Sequence, residues 1–161
     1  MRFNYKKVDF FLILGCGFLA ISSFCIDSVF ALGIPLSSNS PNILSRLIYT
    51  LYAKNTDFLL ISMPLFLRIQ TVISTFIFGP LNVLFIYGLI KKKNWIRIPI
   101  LMYAASMIYG MFIVFGVTFL GDFQTGNLIK YLSFTLPYLI IPMVLAWRVR
   151  KKMVFPEIKC K

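Results

Sequence analysis

The sequence contains no histidine, and only five of its 161 residues are acidic. Histidine is the most frequent general base and metal ligand, so its absence argues against most hydrolytic and metal-dependent chemistry. No Cys-x-x-Cys or similar ligand spacing compensates for it, and the three cysteines show no disulfide framework. We therefore expect no metal site, no cofactor and no catalytic residue.

Charge is also scarce: 14% of the residues are charged and 59% are hydrophobic. Soluble domains are about 25% charged and about 45–50% apolar, so this composition indicates an integral membrane protein. Four apolar stretches, at about residues 8–32, 63–90, 95–120 and 128–147, are long enough to cross a bilayer core of about 30 Å. We predict an all-α membrane fold, a bundle of four transmembrane helices in residues 1–152. Residues 153–161 would form a basic cytosolic tail, which we expect to be disordered.

The first stretch has two alternative interpretations. Basic residues precede its apolar core, as in a signal peptide, but residues 10–26 are longer than the usual apolar region of about 7–15 residues. Residues 13–16 resemble a bacterial lipid-attachment box, yet the apolar run continues past Cys16. We therefore interpret it as a retained transmembrane helix.

The net charge is +12, and thirteen of the seventeen basic residues lie in the amino end, residues 91–97 and residues 148–161. Basic loops stay in the cytosol, so both termini and the second connection are predicted there. Four spans, an even number, agree with that orientation. The basic ends favour anionic membrane lipids, and no exposed basic face remains for nucleic acid.

The long first connection, about residues 33–62, contains a predicted amphipathic helix. Ser40 followed by Pro41 is typical of an N-cap with proline at the first helical position. Apolar residues then recur at helical spacing, namely Ile43, Leu44, Leu47, Ile48 and Leu51. This helix would lie in the membrane interface or roof the bundle.

Prolines interrupt two of the predicted spans. Pro80 lies in the middle of the second span, and Pro137 and Pro142 both lie in the fourth. Interior prolines kink helices, and kinks in two neighbours would open an intramembrane pocket between them. The alternative is that prolines are simply common in membrane helices.

Asp27 is the acidic residue that stands out, because it lies late in the first apolar stretch. An ionisable group at that depth is costly in lipid and by default marks a functional site. The alternative is that the first helix ends near Ile26 and Asp27 lies among the headgroups. The apolar residues 29–32 favour the buried position. Asp57, in Asn55-Thr56-Asp57, is typical of a helix cap or turn.

The second span begins with several polar residues. Gln70 and Ser74 are four residues apart and share a helical face, which Phe78 extends, with Phe76 on the next edge. The alternative is that such serines and threonines bond only to helix backbones. On the third span, Ser106-x-x-x-Gly110 offers a small-residue face for a homodimer or for packing within the chain.

Several segments resemble the sigma-2 receptor (transmembrane protein 97) family of the EXPERA superfamily. They are Trp95-Ile96-Arg97-Ile98-Pro99 with Tyr103, Pro137-Tyr138-Leu139-Ile140-Ile141-Pro142, Tyr52-Ala53-Lys54 followed by Asp57, and the late first-helix Asp27. They occur in the family's order over nearly the whole chain.

This resemblance implies a protein of the endoplasmic reticulum membrane, with the nuclear envelope or other endomembranes as alternatives. It implies a pocket for sterols and amphipathic amines, a homodimer, a role in cholesterol homeostasis and a Niemann–Pick-type cholesterol transporter as partner. The expected ligand-binding residues are Asp27, Asp57, Gln70, Ser74, Phe76, Phe78 and Tyr138.

The sequence departs from the family at two positions. Ser74 stands where the family has a glutamate on the second helix, and Phe58 follows the loop aspartate where the family has proline. The related sterol Δ8–Δ7 isomerases need histidine and glutamates in this cavity, whereas this chain has no histidine and its one glutamate, Glu157, lies in the tail. We therefore expect a binding protein. The alternatives are an isomerase-type enzyme and a ligand-free trafficking subunit.

Overall fold

A computed structural model describes residues 5–121, 125–151 and 154–155. Every named element in this part of the chain is helical, and we number the helices α1 to α6. They are α1 (5–31), α2 (43–56), α3 (Phe58–Ser62), α4 (65–90), α5 (Arg97–Leu120, after a 3₁₀ turn at Asn94–Ile96) and α6 (Leu128–Arg148). Cys160 and most of the expected basic tail lie outside the described residues.

Four of these helices are long and apolar enough to cross a membrane: Lys7–Ala31, Leu65–Ile90, Asn94–Leu120 and Leu128–Arg148. Their ends agree within two residues with those expected from the apolar stretches. The predicted all-α, four-span membrane bundle is therefore confirmed.

Helix α1 is central to the packing, because it lies along α4 and also contacts α6, while α5 packs along α6. Helices α4 and α5 meet through long side chains: the Phe78 ring stands edge-on to the Tyr103 ring, with centroids 5.1 Å apart. Apolar side chains on the outside remain exposed, among them Met102 and Ile129. Lipid can cover this outer surface, so the apolar exposure agrees with a membrane bundle.

The amino end, the α4–α5 connection and the carboxyl end meet at one end of the bundle, here called the basic end. The Arg148 guanidinium donates to both carboxylate oxygens of Asp9, at 2.6 and 3.1 Å. Asn94 exchanges two hydrogen bonds with the backbone of Phe155, at 3.1 and 2.8 Å. The three segments that carry most of the basic residues thus share one end, as their charge predicts.

The expectation of a disordered tail directly after residue 152 is wrong for Val154 and Phe155, which are buried. Arg148 donates to the Val154 carbonyl at 3.2 Å, and its guanidinium lies 5.0 Å from the centre of the Phe155 ring. These contacts, together with Asn94, hold the two residues against the core.

The start of α2 corrects the expected cap. The helix begins at Ile43, and the Asn42 side chain accepts a hydrogen bond from the Ser45 N–H at 3.1 Å. Asn42 has the extended backbone of an N-cap, with φ −84° and ψ 120°. Ser40 is buried two residues earlier, where its hydroxyl accepts from the Asn42 N–H.

Helices α1, α2 and α4 each contain a π-helical turn, at Ser23–Asp27, Tyr49–Ala53 and Ser74–Phe78. In α4 the turn ends two residues before Pro80, which has no N–H to donate and whose ring crowds the carbonyl four residues back. Gly79 donates to the Ser74 carbonyl instead. The proline predicted to kink the span is therefore accommodated by a locally wider turn, whereas α6 continues through Pro137 and Pro142.

Candidate functional site

The π turns of α1 and α4 contact each other across the helix pair. The Ser23 and Ser74 hydroxyl oxygens are 3.0 Å apart, and the Thr75 hydroxyl donates to the Ser23 carbonyl at 3.2 Å. A π turn disturbs the regular backbone ladder and recurs at functional sites. Two such turns in contact make this the part of the bundle where polar groups converge.

Asp27 is the last residue of the α1 π turn, and its side chain is partly buried. Its Oδ2 atom accepts a hydrogen bond from the Ser74 hydroxyl at 2.6 Å. The helix continues to Ala31, so the alternative in which it ends near Ile26 is wrong. Asp27 therefore lies within the span, as the sequence favoured, and α4 supplies its hydrogen-bond donor.

Helix α6 joins this group through Tyr138. The Tyr138 phenol is hydrogen-bonded to the Ser22 hydroxyl, next to Ser23 in the chain. The Phe18 ring stands edge-on to Tyr138, with centroids 6.2 Å apart. We call the polar side chains on these three helices the Asp27 cluster; they are Ser22, Ser23, Asp27, Ser74, Thr75 and Tyr138.

The other expected residues of α4 lie around this cluster or away from it. Phe78 packs on the apolar core beside Tyr103. Phe76 is 66% exposed, so the expectation that its ring walls the pocket is corrected: it lies on the outer surface. Phe76 is two residues from both Ser74 and Phe78, and successive helical residues are rotated by about 100°, which turns it to the far side.

Gln70 contacts a different helix from Ser74. Its side-chain amide donates to the Gly110 carbonyl of α5 at 3.3 Å. A Cβ atom on Gly110 would lie 3.0 Å from that amide nitrogen, so the glycine admits Gln70 within the chain. Of the two small residues on this face, Gly110 therefore packs within the chain. Ser106 is exposed.

Asp57 belongs to a separate group at the start of α3. It is buried, caps α3 by accepting from the Leu60 N–H at 3.2 Å, and accepts from the Tyr52 phenol at 3.4 Å. The predicted cap is therefore correct. Burial raises the pKa of the Asp57 carboxyl, because desolvation disfavours its charged form. Among the described residues, Asp57 shares no hydrogen bond with the Asp27 cluster.

Comparison with known families identifies the superfamily. The model of EXPERA, the EXPanded EBP superfamily, matches residues 43–149. The chain belongs to EXPERA. Comparison with curated proteins and with solved structures gave no match. The matched residues of this EXPERA chain include Asp57, Ser74 and Tyr138, whereas Asp27 precedes them and joins the site through the packing of α1.

The structure of the EXPERA chain also reveals polar residues that the sequence analysis did not select. Asn82 is 1% exposed, and its amide donates to the Phe78 carbonyl at 2.8 Å and to the Tyr103 phenol at 3.2 Å. In the sequence, Asn82 could have been recognised because it is an asparagine within an apolar span. Ser22 and Ser23 could have been recognised as an adjacent polar pair in the first span.

The chemistry available to the Asp27 cluster is hydrogen bonding and attraction of a cation. Within residues 5–121, 125–151 and 154–155, no three His, Cys, Asp or Glu side chains come together as metal ligands. The cluster instead combines one carboxylate with the hydroxyls of Ser22, Ser23, Ser74, Thr75 and Tyr138. Such a group suits an amine or a hydroxyl carried by an apolar ligand.

Proposed function

We propose that this EXPERA chain binds sterols and amphipathic amines within the membrane, as a sigma-2-receptor-like protein that takes part in intracellular cholesterol distribution. The observation that carries the proposal is the hydrogen bond of Asp27 to Ser74 where two π turns meet. The superfamily includes sterol-binding proteins and sterol isomerases, which supports a sterol-like ligand.

The ligand chemistry follows from these groups. A carboxylate in low-dielectric surroundings attracts an ammonium far more strongly than it would at a solvated surface. The Tyr138 ring adds apolar area and a cation–π contact worth about 0.5–2 kcal/mol. The serine hydroxyls and the Tyr138 phenol offer partners for a sterol hydroxyl, which needs no charge. Amines and sterols thus use different parts of the same cluster.

Asp27→Asn tests this division, because the substitution keeps the shape of the side chain and removes its charge. We expect the affinity for a cationic amphiphile to fall roughly tenfold or more, the range of a lost charged hydrogen bond. The affinity for a neutral sterol should change much less. Equilibrium binding to the purified full chain measures both.

The matched control is Ser133→Ala, because Ser133 is exposed on α6 and its hydroxyl bonds within its own helix. It should bind both ligands as the unaltered protein does. If folded Asp27→Asn binds the amine with unchanged affinity, Asp27 is not the ammonium partner.

We further propose that the chain is not an isomerase, since it has no histidine and carries Ser74 in place of the family glutamate. Incubation with a Δ8 sterol is the direct assay, and conversion to the Δ7 product would favour the enzyme alternative. Absence of saturable binding for both sterols and amines would favour a ligand-free trafficking subunit.

Location and partners are proposed on the same family resemblance. We place the protein in the endoplasmic reticulum membrane, as a homodimer that engages a Niemann–Pick-type cholesterol transporter. Because Gly110 already receives Gln70, the dimer contact would use another face of the bundle. Co-localisation with an organelle marker tests the location, and co-purification tests the transporter as partner. Cross-linking in mild detergent tests the dimer, which would be contradicted if only monomer were found.

A further inference from the structure

A cavity of about 270 Å³ lies at the end of the bundle opposite the basic end. It is formed by the turn after α1, by α3 and by the first turn of α4. Its lining residues are Gly33, Ile34, Pro35, Leu36, Leu60, Ile61, Met63 and Arg68. None of them belongs to the Asp27 cluster, so the cavity is a separate feature of the fold.

The Arg68 side chain lies against Gly33 in this cavity. The glycine has φ +69°, a conformation that other residues rarely adopt. A Cβ atom on Gly33 would lie 2.6 Å from Nη2 of Arg68, so the guanidinium lies directly against the turn and would have to shift if a side chain were added there. The turn itself is what favours glycine at this position.

Arg68 has no acidic partner in the part of the chain that the structure describes. The ion pair found there joins Asp9 and Arg148, at the opposite end of the bundle. Arg68 is exposed, and the other residues that line the cavity carry no charge. A guanidinium with five donors in such a setting is complementary to an anion with several acceptor oxygens, of which phosphate is the best geometric match.

The surroundings of the cavity indicate how that phosphate would be carried. Leu32 and Leu65 flank it and are 68% and 74% exposed on the outside of the bundle. The cavity is smaller than the about 300–1,000 Å³ typical of pockets that enclose a whole ligand. It therefore suits a headgroup whose acyl chains lie outside, along the apolar surface of the helices.

We propose that the Arg68 cavity binds the phosphate of an anionic membrane phospholipid from the leaflet at that end. A zwitterionic lipid would also bring a choline or amine group, for which the cavity wall has neither a carboxylate nor an aromatic ring. Phosphatidic acid should consequently bind better than phosphatidylcholine. The site is independent of the amine and sterol site proposed at Asp27.

The test uses the full chain in a neutral detergent, with phosphatidic acid, phosphatidylcholine and inorganic phosphate as probes. Arg68→Gln should lower the affinity for phosphatidic acid roughly tenfold, as expected for a lost charged hydrogen bond. Arg68→Lys should retain part of it, because an ammonium keeps the charge and loses the planar fork. Arg46→Gln is the matched control, since Arg46 is exposed like Arg68 but lies on α2 and does not line the cavity.

Ile61→Glu is a second variant that leaves Arg68 in place. Ile61 lines the cavity and is 37% exposed, so a carboxylate there would share the cavity with the guanidinium and compete with the lipid phosphate. It should reduce phosphatidic acid binding as Arg68→Gln does. Unchanged thermal unfolding of both variants would show that the bundle is intact.

Three results would overturn the proposal. Arg68→Gln could bind phosphatidic acid with unchanged affinity. Arg46→Gln could lose as much affinity as Arg68→Gln, which would indicate general attraction to basic residues. Inorganic phosphate could displace the lipid at equal concentration, which would make the site one for a soluble anion.

Discussion

Asp57 illustrates how burial changes the role of a side chain that the sequence identifies correctly. Its position after Asn55-Thr56 predicts a cap, and it does cap α3. The structure adds that it is 7% exposed and accepts from Tyr52. Burial raises the pKa of Asp57, and the hydrogen bonds from Leu60, Leu59 and Tyr52 only oppose part of that rise.

The raised pKa of Asp57 predicts a pH dependence of stability. The folded protein keeps the proton of the Asp57 carboxyl above pH 3.8, the ordinary pKa of an aspartate, whereas the unfolded chain has released that proton. The free energy of unfolding should therefore fall as pH rises from about 4 through the folded pKa, and then level off. Asp57→Asn keeps an oxygen for the Leu60 N–H and removes the titration. As pH rises through this range, the thermal stability of Asp57→Asn should increase relative to that of the unaltered protein. A difference in stability that does not change with pH would contradict a raised pKa at Asp57.

The two departures from the sigma-2 receptor family have different structural consequences. Phe58 is the first residue of α3, a position at which proline is favoured but many residues are tolerated, so the fold there does not require proline. Ser74 changes the chemistry more, because its hydroxyl donates to Asp27 where a glutamate would add a second acid. Because residue 74 is serine, Asp27 is the single carboxylate of the Asp27 cluster.

Among the helices, the π turns of α1 and α4 explain why polar groups converge at one depth. In α4 the cause lies in Pro80, which cannot continue the α-helical hydrogen bonding. In α1 no proline is present, and the Ser28 hydroxyl donates to the Phe24 carbonyl at 2.6 Å beside the turn. Because each turn is locally wider, Ser23, Asp27 and Ser74 reach across the helix pair.

The segment after α6 closes the basic end of the bundle, and Phe155 is its buried side chain. Phe155 is 4% exposed and packs on the core that includes Ile96 and Val149. Phe155→Ala should lower the free energy of unfolding by about 3 kcal/mol, the lower end of the range for a buried phenylalanine, because a terminal segment can relax.

Phe10→Ala is the control for that substitution, since Phe10 is 63% exposed on the outer surface of α1. Denaturant or thermal unfolding in detergent measures both variants, and the control should change little. Equal effects of the two substitutions would show that Phe155 contributes no specific packing.

For the whole molecule, the distribution of basic residues predicts which end faces the cytosol. The structure brings residues 9, 94 and 148 to one end, and the positive-inside rule orients that end towards the cytosol. Pro41→Thr makes Asn39 an N-glycosylation acceptor in the opposite connection, where Pro41 is exposed. We expect Asn39 of this variant to be glycosylated in cells, and an acceptor appended after Lys161 to remain unmodified. The reverse pattern would invert the topology.

The number, length and relative direction of the spans could be predicted from the sequence because they depend on local quantities. A run of apolar residues sets the length of a membrane helix, and clusters of Lys and Arg set which connections share an end. The cap at Asp57 is local as well. The sequence does not predict the N-cap at Asn42, because Ser40 followed by Pro41 is a more typical capping pattern and lies two residues earlier.

The contacts that build the site depend on packing, which no local pattern contains. Ser22 and Tyr138 are 116 residues apart, and Asp9 and Arg148 are 139 residues apart. Composition marked Asp27 as unusual, but only the meeting of α1, α4 and α6 supplied its neighbours and turned Phe76 outwards. Residues far apart in the chain become partners only after helices pack in one arrangement, since each hydrogen bond requires both groups at a defined distance and direction.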